Sequence, residues 1–120
     1  MLAMAKTLKK GGTVGMLIDQ KTAYQNSVTV NFFNRPATTT NSVAMLKLKF
    51  NPTVVPRFIA RQSDGKYEMI INEPVDYIAD EIEDKEQKIE AMTLRYNHVM
   101  ESIIRKYPAQ WFWMHNRWRL

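Results

Sequence analysis

Cysteine is absent from the chain, which removes disulfides, thiol catalysis and any Cys-ligated zinc site together. Histidine is nearly absent: His98 and His115 are the only two, too few and too far apart to suggest a zinc cage. No apolar run approaches the roughly 18–20 residues that span a bilayer. Lys6, Lys9 and Lys10 follow the first apolar residues instead of preceding them, the wrong order for a secretory signal. Glycine is scarce, with four in all. The spacing of Gly11, Gly12 and Gly15 fits neither the dinucleotide fingerprint nor the phosphate loop of nucleoside triphosphatases.

Carboxylates are missing from one half. Residues 1–60 hold eight Lys/Arg and one acid, Asp19, for a charge of +7. Residues 61–120 hold nine Lys/Arg and eleven Asp/Glu, for −2, and the two halves recover the net +5. Eight of those eleven acids fall between Glu73 and Glu90. The basic faces favour anionic partners: phosphate-bearing lipid, nucleic acid or an acidic protein. The rest of the composition is ordinary, 120 residues with 45% apolar and 24% charged, as expected of one globular domain.

Leu2 to Lys10 reads as the end of a helix stopped by Gly11-Gly12. Thr13–Ile18 (TVGMLI) is a short apolar run that reads as a strand buried on both faces. Val28–Phe33 is a second strand, and Asn34-Arg35-Pro36 a turn. Thr38, Thr39 and Thr40 offer hydroxyls to cap a helix running through Ala44–Phe50, which Asn51-Pro52 ends. Thr53–Gln62 reads as a strand at an edge or bent at its internal Pro56. Asp64-Gly65 turns it into Tyr67–Asn72. Asp84 and Gln87 form a capping box. Ile89, Met92, Tyr96, Val99, Met100, Ile103 and Tyr107 then mark one face of a helix that ends before Pro108. The expected fold class is α/β: a partial mixed sheet of about four strands with flanking helices, a long C-terminal helix and a Trp-rich tail, in a single domain over residues 1–120.

Asp19 stands at the carboxyl end of the expected buried strand, where α/β folds place ligand crevices, with Lys21 two positions on. It either binds substrate or a basic side chain, or it starts a turn and bonds its own backbone. Arg57 and Arg61, at even spacing, project to one strand face. They either clamp phosphate or protect an edge from aggregation. Thr38–Thr40 serve a phosphate at a helix N-terminus or serve as caps. In the C-terminal segment PAQWFWMHNRWRL, the tryptophans Trp111, Trp113 and Trp118 mix with Arg117 and Arg119. Such a mixture suits a membrane interface, stacks bases, or packs on the domain body. His98 reads as a packing or surface residue of the long helix. No His–x4–Asp/Glu pair exists and no Ser–His–Asp arrangement has a local signature, so these residues supply no general base.

The segments GGTVGMLIDQK, VNFFNRPATTT, PTVVPRFIARQSDGKYEMIINEPV and IIRKYPAQWFWMHNRW, in this order, resemble the bacterial lipid A biosynthesis acyltransferases. The resemblance runs from about Leu8 to Arg119 and is most specific from Pro108 to Trp118. It implies a fragment of a glycerolipid-acyltransferase-like fold. It implies transfer of an acyl chain from acyl-acyl carrier protein to a hydroxyl of a lipid A precursor, on the cytoplasmic face of the inner membrane. A His paired with an acid four intervening positions later serves as base in that family, with no metal, cofactor or covalent enzyme intermediate. Neither that motif nor the family's hydrophobic anchor occurs in the chain. The expectation is therefore a C-terminal portion without catalytic residues, inactive alone and prone to self-association through exposed edges and apolar surface. The resemblance carries Asp19 over as substrate-binding or structural, with Lys21, Arg57 and Arg61 beside it. The competing expectations are a basic nucleic-acid-binding module and a protein-interaction module docking through the Asp84–Tyr107 helix.

Overall fold

A computed structural model describes residues 2–21, 24–111 and 116–118, with Tyr24 described by its backbone only. Helix α1 (Leu2–Lys9) stops at the two glycines. Gly11 takes a φ of +79°. Its N–H donates to Leu8 O at 3.0 Å, and Gly12 N–H donates to Thr7 O at 2.9 Å. This paired closure of a helix end uses a left-handed residue at the first glycine. The second glycine is needed for close approach, since a Cβ there would lie 2.7 Å from Thr7 Cγ2.

The run Thr13–Ile18, expected as a buried strand, is irregular, and Leu17 is 96% exposed. A strand buried on both faces needs partners along its edges, and among the described residues no strand lies beside this one. Ile18 alone of the run packs against the buried core.

Strands β1 (Ser27–Phe32) and β2 (Arg35–Thr40) form an antiparallel hairpin. Its turn is Phe33-Asn34, one residue earlier than expected, and both residues have positive φ, 51° and 61°. This matches the two-residue turn whose twist suits a hairpin. Phe32 pairs with Arg35 across the turn, so the next pair, Asn31 with Pro36, is a non-hydrogen-bonded one. Proline therefore costs the ladder nothing there. Thr38 and Thr39, expected as helix caps, are buried strand residues instead. Only Thr40 keeps part of that role: its hydroxyl accepts from Ser42 N–H at 3.3 Å. Helix α2 (Ser42–Phe50) follows and ends at Asn51, which is left-handed with φ 49°.

The third expected strand begins only after Pro56. Strand β3 (Arg57–Arg61) pairs antiparallel with β4 (Tyr67–Ile71) through the Asp64-Gly65 turn. Among the described residues the strands number four, but they form two separate hairpins and do not share one sheet.

Helix α3 (Lys85–Lys106) is capped as its sequence indicates, with Gln87 N–H donating to the Asp84 carboxylate at 2.9 Å. It is the spine of the fold. Ile89, Met92 and Tyr96 meet Ala44 of α2 with Val75 and Ala79. Met100, Ile103 and Ile104 meet Phe32 and Ala37 of the first hairpin. Each large side chain buried this way contributes about 1.5–3 kcal/mol. Beside the apolar stripe runs a buried polar row at four-residue spacing, Thr93, Asn97 and Glu101. Asn97 Nδ2 donates to Asn31 O at 3.2 Å, and Glu101 Oε1 accepts the Phe33 N–H at 2.7 Å. The second bond holds the turn in a conformation that an aromatic residue seldom adopts.

Candidate functional site

The site is built where three distant segments converge: the irregular run ending at Asp19, the threonine strand β2, and the tail beyond α3. Asp19 Oδ2 accepts the Trp111 Nε1–H at 3.2 Å. Asp19, Lys21 and Thr40 line an open pocket of about 290 Å³ with Met16, Leu17 and Gln20. A carboxylate, an ammonium and a hydroxyl in one concavity suit a ligand that carries both hydroxyls and negative charge. The carboxylate accepts from hydroxyls, and the ammonium attracts an anion.

The tail is held in this position by hydrogen bonds from Arg117 and Trp118 to the first hairpin. Arg117 is fully buried. Its Nη1 donates to Thr38 O at 2.6 Å and its Nη2 to Thr39 Oγ1 at 2.8 Å. The guanidinium carbon lies 5.2 Å from the Phe32 ring centroid. Burial pushes the Arg117 pKa down from its usual value, while the Asp19 charge acts in the opposite direction. Trp118 Nε1 donates to Phe32 O at 2.8 Å. Phe32 sits at the centre of an aromatic group: Trp118 stacks on it at 5.8 Å between centroids, and Trp111 meets it edge-on at 5.4 Å.

The described part of the Trp-rich tail thus packs on the body of the domain. Trp111 and Trp118 are half-buried, and Arg117, expected at a membrane surface, lies inside. Trp113 and Arg119 lie outside the described residues. Arg57 and Arg61 do share the outer face of β3, both exposed, but neither lines the Asp19 pocket. The backbone of Arg61 is engaged by Gln110, whose Oε1 accepts the Arg61 N–H at 2.8 Å and whose Nε2 donates to Arg61 O at 2.9 Å. Gln110 therefore occupies the place of a further strand residue.

Sequence reasoning missed Asn97, Glu101 and the inward role of Arg117. The first two carried a signal, as polar residues spaced by four beside an apolar stripe, too regular to be incidental. Glu101 also approaches His98, with 3.9 Å between Oε2 and Nε2. That imidazole is 58% exposed and lines neither the Asp19 pocket nor a second concavity around Arg95 and Ser102.

Among the described residues no helix is long and apolar enough to cross a membrane. The family model of bacterial lipid A biosynthesis acyltransferases matches residues 1–120. A lipid A biosynthesis acyltransferase of Haemophilus influenzae is 32% identical over 119 residues, which is 97% of this chain and 36% of the relative. The chain thus spans about a third of the length of that relative. With every quoted segment inside the matched range, the chain belongs to the bacterial lipid A biosynthesis acyltransferase family.

Proposed function

We propose that this chain forms the acceptor-binding part of an acyltransferase at the cytoplasmic face of the bacterial inner membrane. The reaction moves a fatty acyl group from acyl-acyl carrier protein to a hydroxyl of a lipid A precursor. The observation that carries this reading is the Asp19 pocket, with its carboxylate held by Trp111 and flanked by Lys21 and Thr40. Asp19 accepts a hydrogen bond from a sugar hydroxyl of the acceptor, and Lys21 draws in its phosphate. Arg57 and Arg61 add two exposed cations on one strand face for the same class of anion.

The chemistry needs a base that takes the proton of the acceptor hydroxyl. Its oxygen then attacks the thioester carbonyl, the carbon–sulfur bond breaks, and the carrier thiol leaves with a proton. In this reading the base belongs to polypeptide other than these 120 residues, which form the C-terminal portion of a single acyltransferase domain. The His98–Glu101 pair does not replace it, since 3.9 Å is too long for a hydrogen bond and the imidazole lines neither concavity. The isolated chain binds acceptor without turning it over, and it self-associates through the open edges of its two hairpins.

The test is direct. The purified chain is expected to bind a phosphorylated lipid A precursor in detergent micelles, and Asp19→Asn to weaken that binding at least tenfold. Thioester consumption with acyl-acyl carrier protein is expected to stay at background. Unchanged binding by the Asp19→Asn variant overturns the acceptor site. Robust turnover by the chain alone overturns the absence of a base.

A further inference from the structure

A solvated hairpin usually alternates, with apolar residues inward and polar residues outward. The β3–β4 hairpin does not. Its inner face is satisfied, with Ala60 buried and Phe58 and Ile70 packed on the core. Its outer face pairs Arg57 with Ile71, Ile59 with Met69, and Arg61 with Tyr67. Ile59 is 68% exposed, Tyr67 71%, Met69 52% and Ile71 62%. Four large side chains and two arginines thus form one ribbon, and none of these six paired residues is acidic. The acid of this hairpin's strands, Glu68, pairs with Ala60 in the opposite register.

We infer that this outer face of the β3–β4 hairpin docks on an anionic phospholipid bilayer, with Ile59, Tyr67, Met69 and Ile71 entering the headgroup boundary and Arg57 and Arg61 meeting lipid phosphates. Charge selects this occupant. A second copy presenting the same face would gather four arginines in one interface with no acid among the paired residues to neutralise them, whereas phosphates complement both cations. The side chains suit the depth. Isoleucine, methionine and tyrosine bury apolar surface at the interface, and arginine extends its stem along them while its head stays with phosphate. This rests on the membrane-surface part of the proposed function. It moves the contact from the tryptophan tail, whose described indoles bond the protein itself, to the second hairpin.

The experiment uses the full chain and exploits its lack of cysteine. Single cysteines introduced as Met69→Cys on the face and Glu86→Cys on α3 carry an environment-sensitive dye. Vesicles contain either phosphatidylcholine alone or phosphatidylcholine with phosphatidylglycerol. The dye at position 69 is expected to shift to the blue on the anionic vesicles, and the dye at position 86 to stay unshifted. Flotation is expected to show a partition coefficient at least tenfold lower for Ile59→Ser with Met69→Ser. Arg57→Gln with Arg61→Gln is expected to lower it by about 25-fold. Circular dichroism checks that each exposed substitution leaves the fold intact. Should any pair unfold the chain, the dye at position 69 gives the answer without it. Vesicle binding with the dye at position 69 still in water overturns this inference while leaving the membrane reading in place. Absence of vesicle binding overturns both, while acceptor binding at Asp19 is judged by its own assay. A dye shift that depends on protein concentration and not on lipid identifies a second copy as the occupant and overturns the inference.

Discussion

The indole N–H of Trp111 donates to the carboxylate of Asp19 at 3.2 Å, across 92 residues of sequence. This bond ties the tail beyond α3 to the pocket in the basic half. A hydrogen bond to a partly buried carboxylate contributes about 1 kcal/mol. In a double-mutant cycle, Trp111→Phe and Asp19→Ala are expected to show a coupling of about 1 kcal/mol by urea unfolding. Strictly additive effects would show that the two side chains do not act as a unit.

Arg117 makes a stronger prediction. Its loss strands Thr38 O inside the protein and takes one partner from the Thr39 hydroxyl, which keeps Ala37 O at 3.1 Å and Asn97 Nδ2 at 3.4 Å. Arg117→Leu is expected to cost about 1–3 kcal/mol, because the unpaired Thr38 carbonyl outweighs the relief from burying a charge. Arg117→Lys keeps the charge and loses the fork, and is expected to cost about half as much. Tryptophan emission should shift to the red in the leucine variant as the Trp118 ring leaves Phe32. A leucine variant as stable as the parent would mean that Arg117 does not anchor the tail.

The contrast between Asp19 and Arg117 shows what a sequence discloses. Asp19 stood out because it is the lone acid of the first 60 residues, and local charge is visible in one dimension. Helix α3 was legible for a similar reason, since its cap and its period are short-range. Arg117 reads as a surface cation in any local window. Its burial follows from a pairing with Thr38 and Thr39, 79 and 78 residues away. The threonines misled for the complementary reason: hydroxyls before a helix resemble caps, yet only Thr40 serves its helix, while the Thr39 hydroxyl and the Thr38 carbonyl meet the tail. Thr13–Ile18 shows a third case. Apolar content specifies that a segment seeks burial, and strand formation also requires a partner edge, which no local pattern encodes.

Tyr96 links the core to alkaline pH. Its hydroxyl is buried and has no hydrogen-bond partner among the described residues. Burial pushes its pKa up from 10.0 to about 12. A raised folded-state pKa contributes stability that is whole below the unfolded value near pH 10 and is lost as pH rises toward 12. The loss is on the order of 2 kcal/mol across this window, because each tenfold change in proton affinity is worth about 1.4 kcal/mol. Tyr96→Phe removes the titration, so its stability relative to the parent in thermal unfolding should rise across this window. At pH 7 the phenylalanine variant should be at least as stable as the parent, since an unpaired buried hydroxyl costs about 1–3 kcal/mol. A variant clearly less stable at pH 7 means that the hydroxyl is satisfied.

Gln110 offers a test that reads one amide. Its side chain accepts the Arg61 N–H and donates to the Arg61 carbonyl, extending the ladder of β3 by two bonds where another strand would add them. Replacing it with alanine leaves both backbone groups to water, because the site is exposed. The stability cost is therefore modest, about 0.5–1.5 kcal/mol. The local effect is larger. Hydrogen exchange at Arg61 N–H should quicken by at least tenfold in Gln110→Ala, while the Ile103 and Ile104 amides inside α3 keep their rates. Gln110→Glu separates the two bonds: it retains an acceptor for the N–H and sets a carboxylate against the Arg61 carbonyl. Its exchange at Arg61 should fall between that of the parent and that of alanine. Equal exchange in all three proteins would mean that Gln110 does not cover this strand edge in solution.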